Sequence, residues 1–250
     1  DFLIGESGTR HLLELDFFGG DPLMGWETVQ EVVAYALQEG PRHGKKFKFS
    51  LTTNGVLLTD PVIDYLLEHN VSVVLSLDGR REVNDRMRPF AGGSSSYDRI
   101  VPRFQKLAAR TEDYVIRGTY TRENLDFSRD VEHFVDLGFR HISVEPVVCS
   151  EPTDDGLRQD DVSRIRQEYE RLAEIWLERR RAGRPFDYFH FNVSIDGGPC
   201  IYKRVAACGA GHEYLAVTPD GDLYPCHQFV GQQGARMGSV RDGVTNGSLR

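Results

Sequence analysis

At 250 residues, with 40% apolar and 10% aromatic content, the chain is long enough for one large domain, or for one domain and a smaller companion. A formal net charge of −8 argues against general nucleic-acid affinity, which needs clustered basic surface. No apolar run approaches the roughly 18 residues of a membrane span, and no secretory signal is present. The expectation is therefore a cytoplasmic protein that binds neither membrane nor nucleic acid.

The opening DFLIGESG reads as the tail of a helix already under way, and Asp1 is not preceded by methionine. The last residues, MGSVRDGVTNGSLR, carry no closing element, so a fragment of a longer protein is expected. Extended apolar segments are predicted at Leu13–Phe18, Phe47–Thr53, Ser72–Leu77, Tyr114–Tyr120 and His141–Val148. Between them, apolar residues fall at helical spacing: Val29, Val32, Val33, Ala36 and Leu37; Val62, Ile63, Leu66 and Leu67; Ile100, Phe104 and Leu107; Val131, Phe134, Val135 and Leu137. Strand and helix alternate about every 30 residues, the signature of consecutive βα units with parallel strands. Five such strands in a row predict the α/β class and a barrel or partial barrel; a doubly wound sheet is the alternative. A charged helix, Asp160–Arg181, closes this region and ERRRAGRP reads as a linker. Beyond Phe186 the texture turns Gly-rich and cysteine-bearing, which places a boundary between residues 1–185 and a small module at 186–250.

In parallel strands the carboxyl ends share one edge, where ligands of α/β folds bind. Here those ends read FFGGDP, LTTNG, LSLDG, RGTYTREN and VEPVV. Any one is an ordinary turn. Together Asp21, Asn54, Ser76, Asp78, Arg117 and Thr119 make a polar mouth suited to a small zwitterion: carboxylates or carbonyls for an ammonium, Arg117 for a carboxylate, Ser76 and Asp78 for a ribose. Gly19 and Gly20 allow close approach of the main chain.

The ordered set FFGGDP, TTNG and SLDG resembles radical S-adenosylmethionine enzymes, over roughly residues 10–150, and so implies their partial (β/α)6 TIM-like barrel. The resemblance implies that Gly19, Gly20 and Asp21 hold the methionine amino group, with Pro22 shaping the loop. Ser76 and Asp78 would lie near the ribose and methionyl end, Arg117 would pair with the carboxylate, and Val144, Glu145 and Pro146, on to Val147, would line the adenine.

Of four cysteines, three follow the spacing Cys200-x7-Cys208-x17-Cys226. Without a secretory signal, disulfides are not expected. Paired C-x2-C units of a zinc ribbon are absent, leaving buried thiols or an iron–sulfur site, which ordinarily takes four thiolates. Cys149 ends an apolar run and is expected to be a small buried hydrophobe. The stretch CGAGHEYLAVTPDGDLYPCHQFVG resembles the SPASM extension of peptide-modifying radical enzymes, most of all the maturases of SCIFF peptides, which form a thioether between a cysteine sulfur and a backbone carbon. By that pattern Cys200, Cys208 and Cys226 ligate an auxiliary [4Fe–4S] cluster, with further ligands beyond Val240. His227 is either a polar neighbour or a base: in sulfatase-maturing relatives a proton-accepting Asp stands here, and an imidazole titrating near 6.5 could deprotonate a substrate thiol.

The C-x3-C-x2-C motif that would hold the family's first [4Fe–4S] cluster is absent from these 250 residues, so its ligands are expected upstream and the fragment alone is expected to be inactive. The resemblance implies that the intact enzyme makes a 5′-deoxyadenosyl radical, takes a hydrogen from a precursor peptide, passes an electron to an auxiliary cluster and draws electrons from a flavodoxin or ferredoxin. The rivals are another radical SPASM maturase, sulfatase-maturing, carbon–carbon cross-linking or epimerising, and a degenerate peptide-binding relative without chemistry.

Overall fold

The computed structural model describes residues 1–149, 153–193 and 208–247. The chain divides into two compact units: Glu14–Gln38 with Phe47–Asn192, and Asp1–Leu13 with Glu39–Lys46 and Val193–Arg250.

Six strands form one sheet in chain order: β1 (Leu12–Phe17), β2 (Lys46–Thr53), β3 (Val71–Ser76), β4 (Tyr114–Tyr120), β5 (His141–Pro146) and β6 (Asp187–Tyr188). From β2 to β6 the neighbours pair in parallel, with Phe49 beside Val71, Ser76 beside Arg117, Arg117 beside Ser143 and Ile142 beside Tyr188. A short helix, α1 (Phe2–Glu6), precedes the sheet, as the opening residues suggest. The connecting helices are α2 (Trp26–Arg42), α3 (Asp60–Glu68), α4 (Arg81–Met87), α5 (Tyr97–Ala108), α6 (Phe127–Asp136) and α7 (Val162–Arg181). This is the partial (β/α)6 TIM-like barrel that the resemblance implies, with one strand, β6, beyond the five that the alternation marks.

Period-2 patterning decides which face each strand buries. In β3, Val71, Val73 and Leu75 are buried while Ser72, Val74 and Ser76 are half-buried, and β-branched residues suit such a pleated, one-sided surface. The helices answer with their own stripes: α5 buries Ile100, Val101, Phe104 and Leu107, one face of a 3.6-residue period. Leu51, Leu75, Ile116 and Val144 from the strands meet Ile63, Phe104, Phe134 and Leu172 from the helices in one core. Each such fully buried side chain stabilises the fold by roughly 1.5–3 kcal/mol. The opposite face of the sheet is left with Ser50, Ser72, Ser76, Arg117, Ser143 and Glu145.

Three features differ from expectation. α4 carries only Val83 and Met87 as apolar residues, too few to mark a periodic stripe. β6 is two residues long, too short for any alternation to show. β5 ends at Pro146, just before the Val147 N–H makes a last bond to the Tyr120 carbonyl of β4 at 2.9 Å. The chain then leaves the sheet, so Val148 is 81% exposed. Cys149 follows it and is exposed, its sulfur 3.4 Å from Thr153 Oγ1, instead of buried as expected.

In the smaller unit β7 (Ala216–Val217), β8 (Asp222–Tyr224), β9 (Gly238–Ser239) and β10 (Gly243–Val244) form an antiparallel sheet in the order β10-β9-β8-β7. Gly238 sits at φ +151°, and a Cβ there would stand 2.0 Å from the Gly243 carbonyl oxygen, so the tight approach of β9 and β10 excludes any side chain. Among the described residues, no helix is long and apolar enough to cross a membrane.

Candidate active site at the strand ends

The loop after β1 is built around Asp21. Its carboxylate accepts the Leu23 N–H at 3.0 Å, starting a single 3-10 turn, Pro22–Gly25. Pro22 occupies the first turn, where a missing N–H costs nothing. The same carboxylate accepts the Asn54 N–H at 2.8 Å and the Thr53 hydroxyl at 2.9 and 3.2 Å. Three donors thus meet this carboxylate, one of them shared between its two oxygens. Asp21, 9% exposed, ties the β1 loop to the end of β2.

The two preceding glycines have different reasons to exist. Gly19 lies at φ +143°, where a side chain would be strained. Gly20 lies outside the left-handed region, and no atom comes within 4 Å of the position its Cβ would take. Neither backbone strain nor close packing inside the protein asks for glycine at 20.

At the next two strand ends, packing explains the glycines fully. Asn54 Oδ1 accepts the Val56 N–H at 2.9 Å to close its turn, and a Cβ on Gly55 would stand 2.1 Å from the Phe104 ring. A Cβ on Gly79 would meet Asp130 Oδ1 at 2.6 Å. Burial pushes the Asp130 carboxyl above its ordinary range, an effect partly offset by Arg80, whose main-chain N–H and Nε both donate to it at 2.9 Å.

Asp78, 3% exposed, is held by Arg88, with Nε at 2.7 Å and Nη2 at 3.1 Å, and by the Thr119 N–H at 3.1 Å. A buried carboxylate is tolerable only when satisfied in this way. Gly118 makes the Thr119 contact possible, because a Cβ there would stand 2.6 Å from the Leu77 carbonyl oxygen. Arg88 and Thr53, both essential to this scaffold, were not picked out by the sequence reading. The only trace of Arg88 is the recurrence of charge in LDGRREVNDRMR.

On the polar face, Ser76 and Arg117 are direct neighbours across β3 and β4, with Ser143 next in the same row on β5. Arg117 faces Glu145: Nε lies 3.3 Å from Oε1 and Nη2 3.2 Å from Oε2. Ser143 also donates to Glu145 Oε1 at 3.0 Å. Burial raises the Glu145 carboxyl's proton affinity, but the hydrogen bond and charge of Arg117, with Ser143 and His190, outweigh it and hold the group below its ordinary range. Val144 points the other way, fully buried in the core, so alternation splits the 144–147 segment between two faces. Pro146 closes the strand, exposed.

In the smaller unit Cys208 is exposed and Cys226 is buried; Cys200 lies outside the described residues. The Gly211 N–H donates to the Pro225 carbonyl at 3.0 Å, joining the two cysteine-bearing segments. The Ala210 N–H, then the Tyr214 hydroxyl at 3.9 Å, hold the Cys208 thiol below its ordinary pKa. His227, exposed, begins a short 3-10 turn directly after Cys226. Among the described residues, no three His, Cys, Asp or Glu side chains converge as a metal site.

A family model described as the Radical SAM superfamily matches residues 8–144. The chain is 25% identical over 229 residues to the cysteine-type anaerobic sulfatase-maturating enzyme of Clostridium novyi (strain NT), a match covering 86% of this chain and 58% of that protein. It is 29% identical over 234 residues to the mycofactocin maturase MftC of Mycolicibacterium smegmatis, covering 90% and 54%. The chain thus spans a little over half the length of these relatives. The solved structure of native anSMEcpe with bound AdoMet and Kp18Cys peptide shares its fold, with a TM-score of 0.75 at 18% identity over 98% of this chain and 69% of that one. Enzymes of the superfamily use S-adenosylmethionine and a [4Fe–4S] cluster. With more than half of its length matched by the family model and its strand ends built as described, the chain belongs to the radical SAM superfamily.

Proposed function

We propose that the chain is the S-adenosylmethionine-binding barrel, with the start of a cluster-bearing extension from about residue 186, of a cytoplasmic enzyme that modifies a ribosomally made peptide. The observation that carries the reading is Gly20, whose open Cβ position has no use in the protein's own packing and suits a ligand lying against the main chain. The names of the relatives, a sulfatase-maturating enzyme and a maturase, support a peptide or protein as substrate.

In this reading the main-chain carbonyls of Gly19 and Gly20 receive the ligand's ammonium, while Asp21 and Pro22 fix the loop. Asn54 forms the adjoining rim. Arg117 takes the carboxylate and Ser76 the ribose. Asp78, saturated by Arg88 and Thr119, orients the rim. The main chain of Val144, Glu145 and Pro146 borders the adenine. Cys200, Cys208 and Cys226 hold an auxiliary [4Fe–4S] cluster, and His227 accepts the proton of a substrate thiol. Once bound, the cofactors supply a carbon-centred radical at the expense of an electron from a flavodoxin or ferredoxin. The bond formed is a cysteine thioether, a choice resting on the likeness of CGAGHEYLAVTPDGDLYPCHQFVG to SCIFF maturases.

The test is anaerobic incubation of the full-length, cluster-loaded protein with S-adenosylmethionine, a reductant and the precursor peptide encoded beside its gene. The expected products are 5′-deoxyadenosine and a peptide two hydrogens lighter, with one cysteine no longer alkylated. 5′-Deoxyadenosine with every thiol intact overturns the thioether. Absence of S-adenosylmethionine binding overturns the whole reading.

A further inference from the structure

We propose that Glu145 is a built-in stand-in for the ligand's carboxylate: it holds Arg117 in position, is expelled as S-adenosylmethionine enters, and so helps set the site's affinity and selectivity. The inference rests on Arg117 being the carboxylate partner. Both Glu145 oxygens engage two N–H donors of one guanidinium edge, the bidentate arrangement a free carboxylate would adopt there. The Glu145 side chain therefore competes for the same donors.

Two ion pairs at this rim behave differently. Arg88 grips Asp78 at 2.7 Å, and the Asp78 side chain is 4% exposed, so that pair is a fixture of the scaffold. Arg117 and Glu145 meet at 3.2–3.3 Å, with side chains 46% and 34% exposed. Charge-assisted contacts ordinarily close to about 2.7–2.9 Å. A long, half-solvated pair is weak and exchanges readily. It adds little to strands that are already hydrogen-bonded to each other through Thr119 and Glu145. Ser143 keeps its hold on Glu145 Oε1 at 3.0 Å, so the displaced carboxylate stays beside the site and remains ready to return. With Glu145 in place, Arg117 is not an unopposed cation open to every small anion. Only a ligand whose carboxylate arrives with an adenosyl group already bound outcompetes it.

The experiment is anaerobic equilibrium binding to the full-length, cluster-loaded protein, comparing S-adenosylmethionine with its decarboxylated analogue. Glu145→Gln, which keeps shape and the Ser143 contact, should tighten S-adenosylmethionine about two- to fivefold and leave the analogue unchanged. Ser143→Ala should shift binding in the same direction by less. Equal weakening of both ligands by Glu145→Gln, or no change in either, overturns the proposal. Arg117→Gln should erase the preference for S-adenosylmethionine over the analogue. If that preference survives, the assignment of Arg117 itself fails, whatever Glu145 does.

Discussion

Replacing Asp21 by asparagine separates a scaffold role for this residue from a ligand role. Its Oδ1 accepts the Leu23 N–H at 3.0 Å and its Oδ2 accepts the Asn54 N–H at 2.8 Å. An amide has one oxygen, so in either orientation its NH2 group faces a backbone N–H. One charge-assisted hydrogen bond is lost and one buried donor is left without an acceptor. Hydrogen bonds to charged groups contribute about 1.5–3 kcal/mol, and an unsatisfied buried donor carries a cost of similar size. These two descriptions overlap, which gives a net loss of about 2–3 kcal/mol. For a chain of this length that corresponds to a fall in melting temperature of about 4–12 °C. Thr53→Val removes a hydroxyl that donates to Asp21 and accepts the buried Gly55 N–H at 3.0 Å, and should cost about 1–3 kcal/mol. Anaerobic thermal unfolding of both variants is the assay. A melting temperature for Asp21→Asn within about 1 °C of wild type, with S-adenosylmethionine binding lost, would refute the scaffold role and turn the carboxylate toward the ligand.

Gly20→Ala should leave stability within about 0.5 kcal/mol while weakening S-adenosylmethionine about tenfold, as read by denaturation and by equilibrium binding of the same sample. Gly118→Ala forces a Cβ to 2.6 Å from the Leu77 carbonyl oxygen and should destabilise by about 2–3 kcal/mol, seen as a lower urea midpoint. Burial holds the His133 imidazole below its ordinary pKa, outweighing the charges of Asp136 and Glu82. The unfolded chain therefore takes up the proton first, and stability present above about pH 6.5 is lost as the pH falls through the folded value. Melting measured from pH 7.5 down to 5.5 should decline less steeply in His133→Gln. Cys208→Ala and Cys226→Ala should each remove about four iron atoms per chain by iron assay, with S-adenosylmethionine binding retained.

The sheet was legible in the sequence because its strands alternate cleanly. Val71, Val73 and Leu75 against Ser72 and Ser76 name the strand, its core face and its open face at once. The edge where the site lies followed from parallel order alone. What escaped was the support beneath it. Nothing local reveals that Arg88, ten positions on, folds back across α4 to grip both oxygens of Asp78. Nor does the loop after β1 show that Asp21 takes hydrogen bonds from another strand end, 32 and 33 residues away. The two-residue period sends Val144 into the core and Glu145 to Arg117, so residues 144–147 do not form one lining. The apolar run at 141–148 points to a buried Cys149, but beyond Val147 the backbone leaves the sheet and Cys149 is exposed.

The order of the sheet has a bearing on how the chain is made. Strands β1 to β6 stand side by side in the order in which they leave the ribosome, so each needs only the strand synthesised before it. At about 5–20 residues per second, a βα unit of about 30 residues emerges every few seconds. Helices form in about a microsecond, so each crossover helix is in place well before the next strand arrives. The nascent edge is nevertheless exposed at each stage, and the last strand added is only Asp187–Tyr188. At that end of the sheet, an edge two residues long offers a neighbouring chain on the same polysome very little to pair with, whereas β1 at the other end is six residues long.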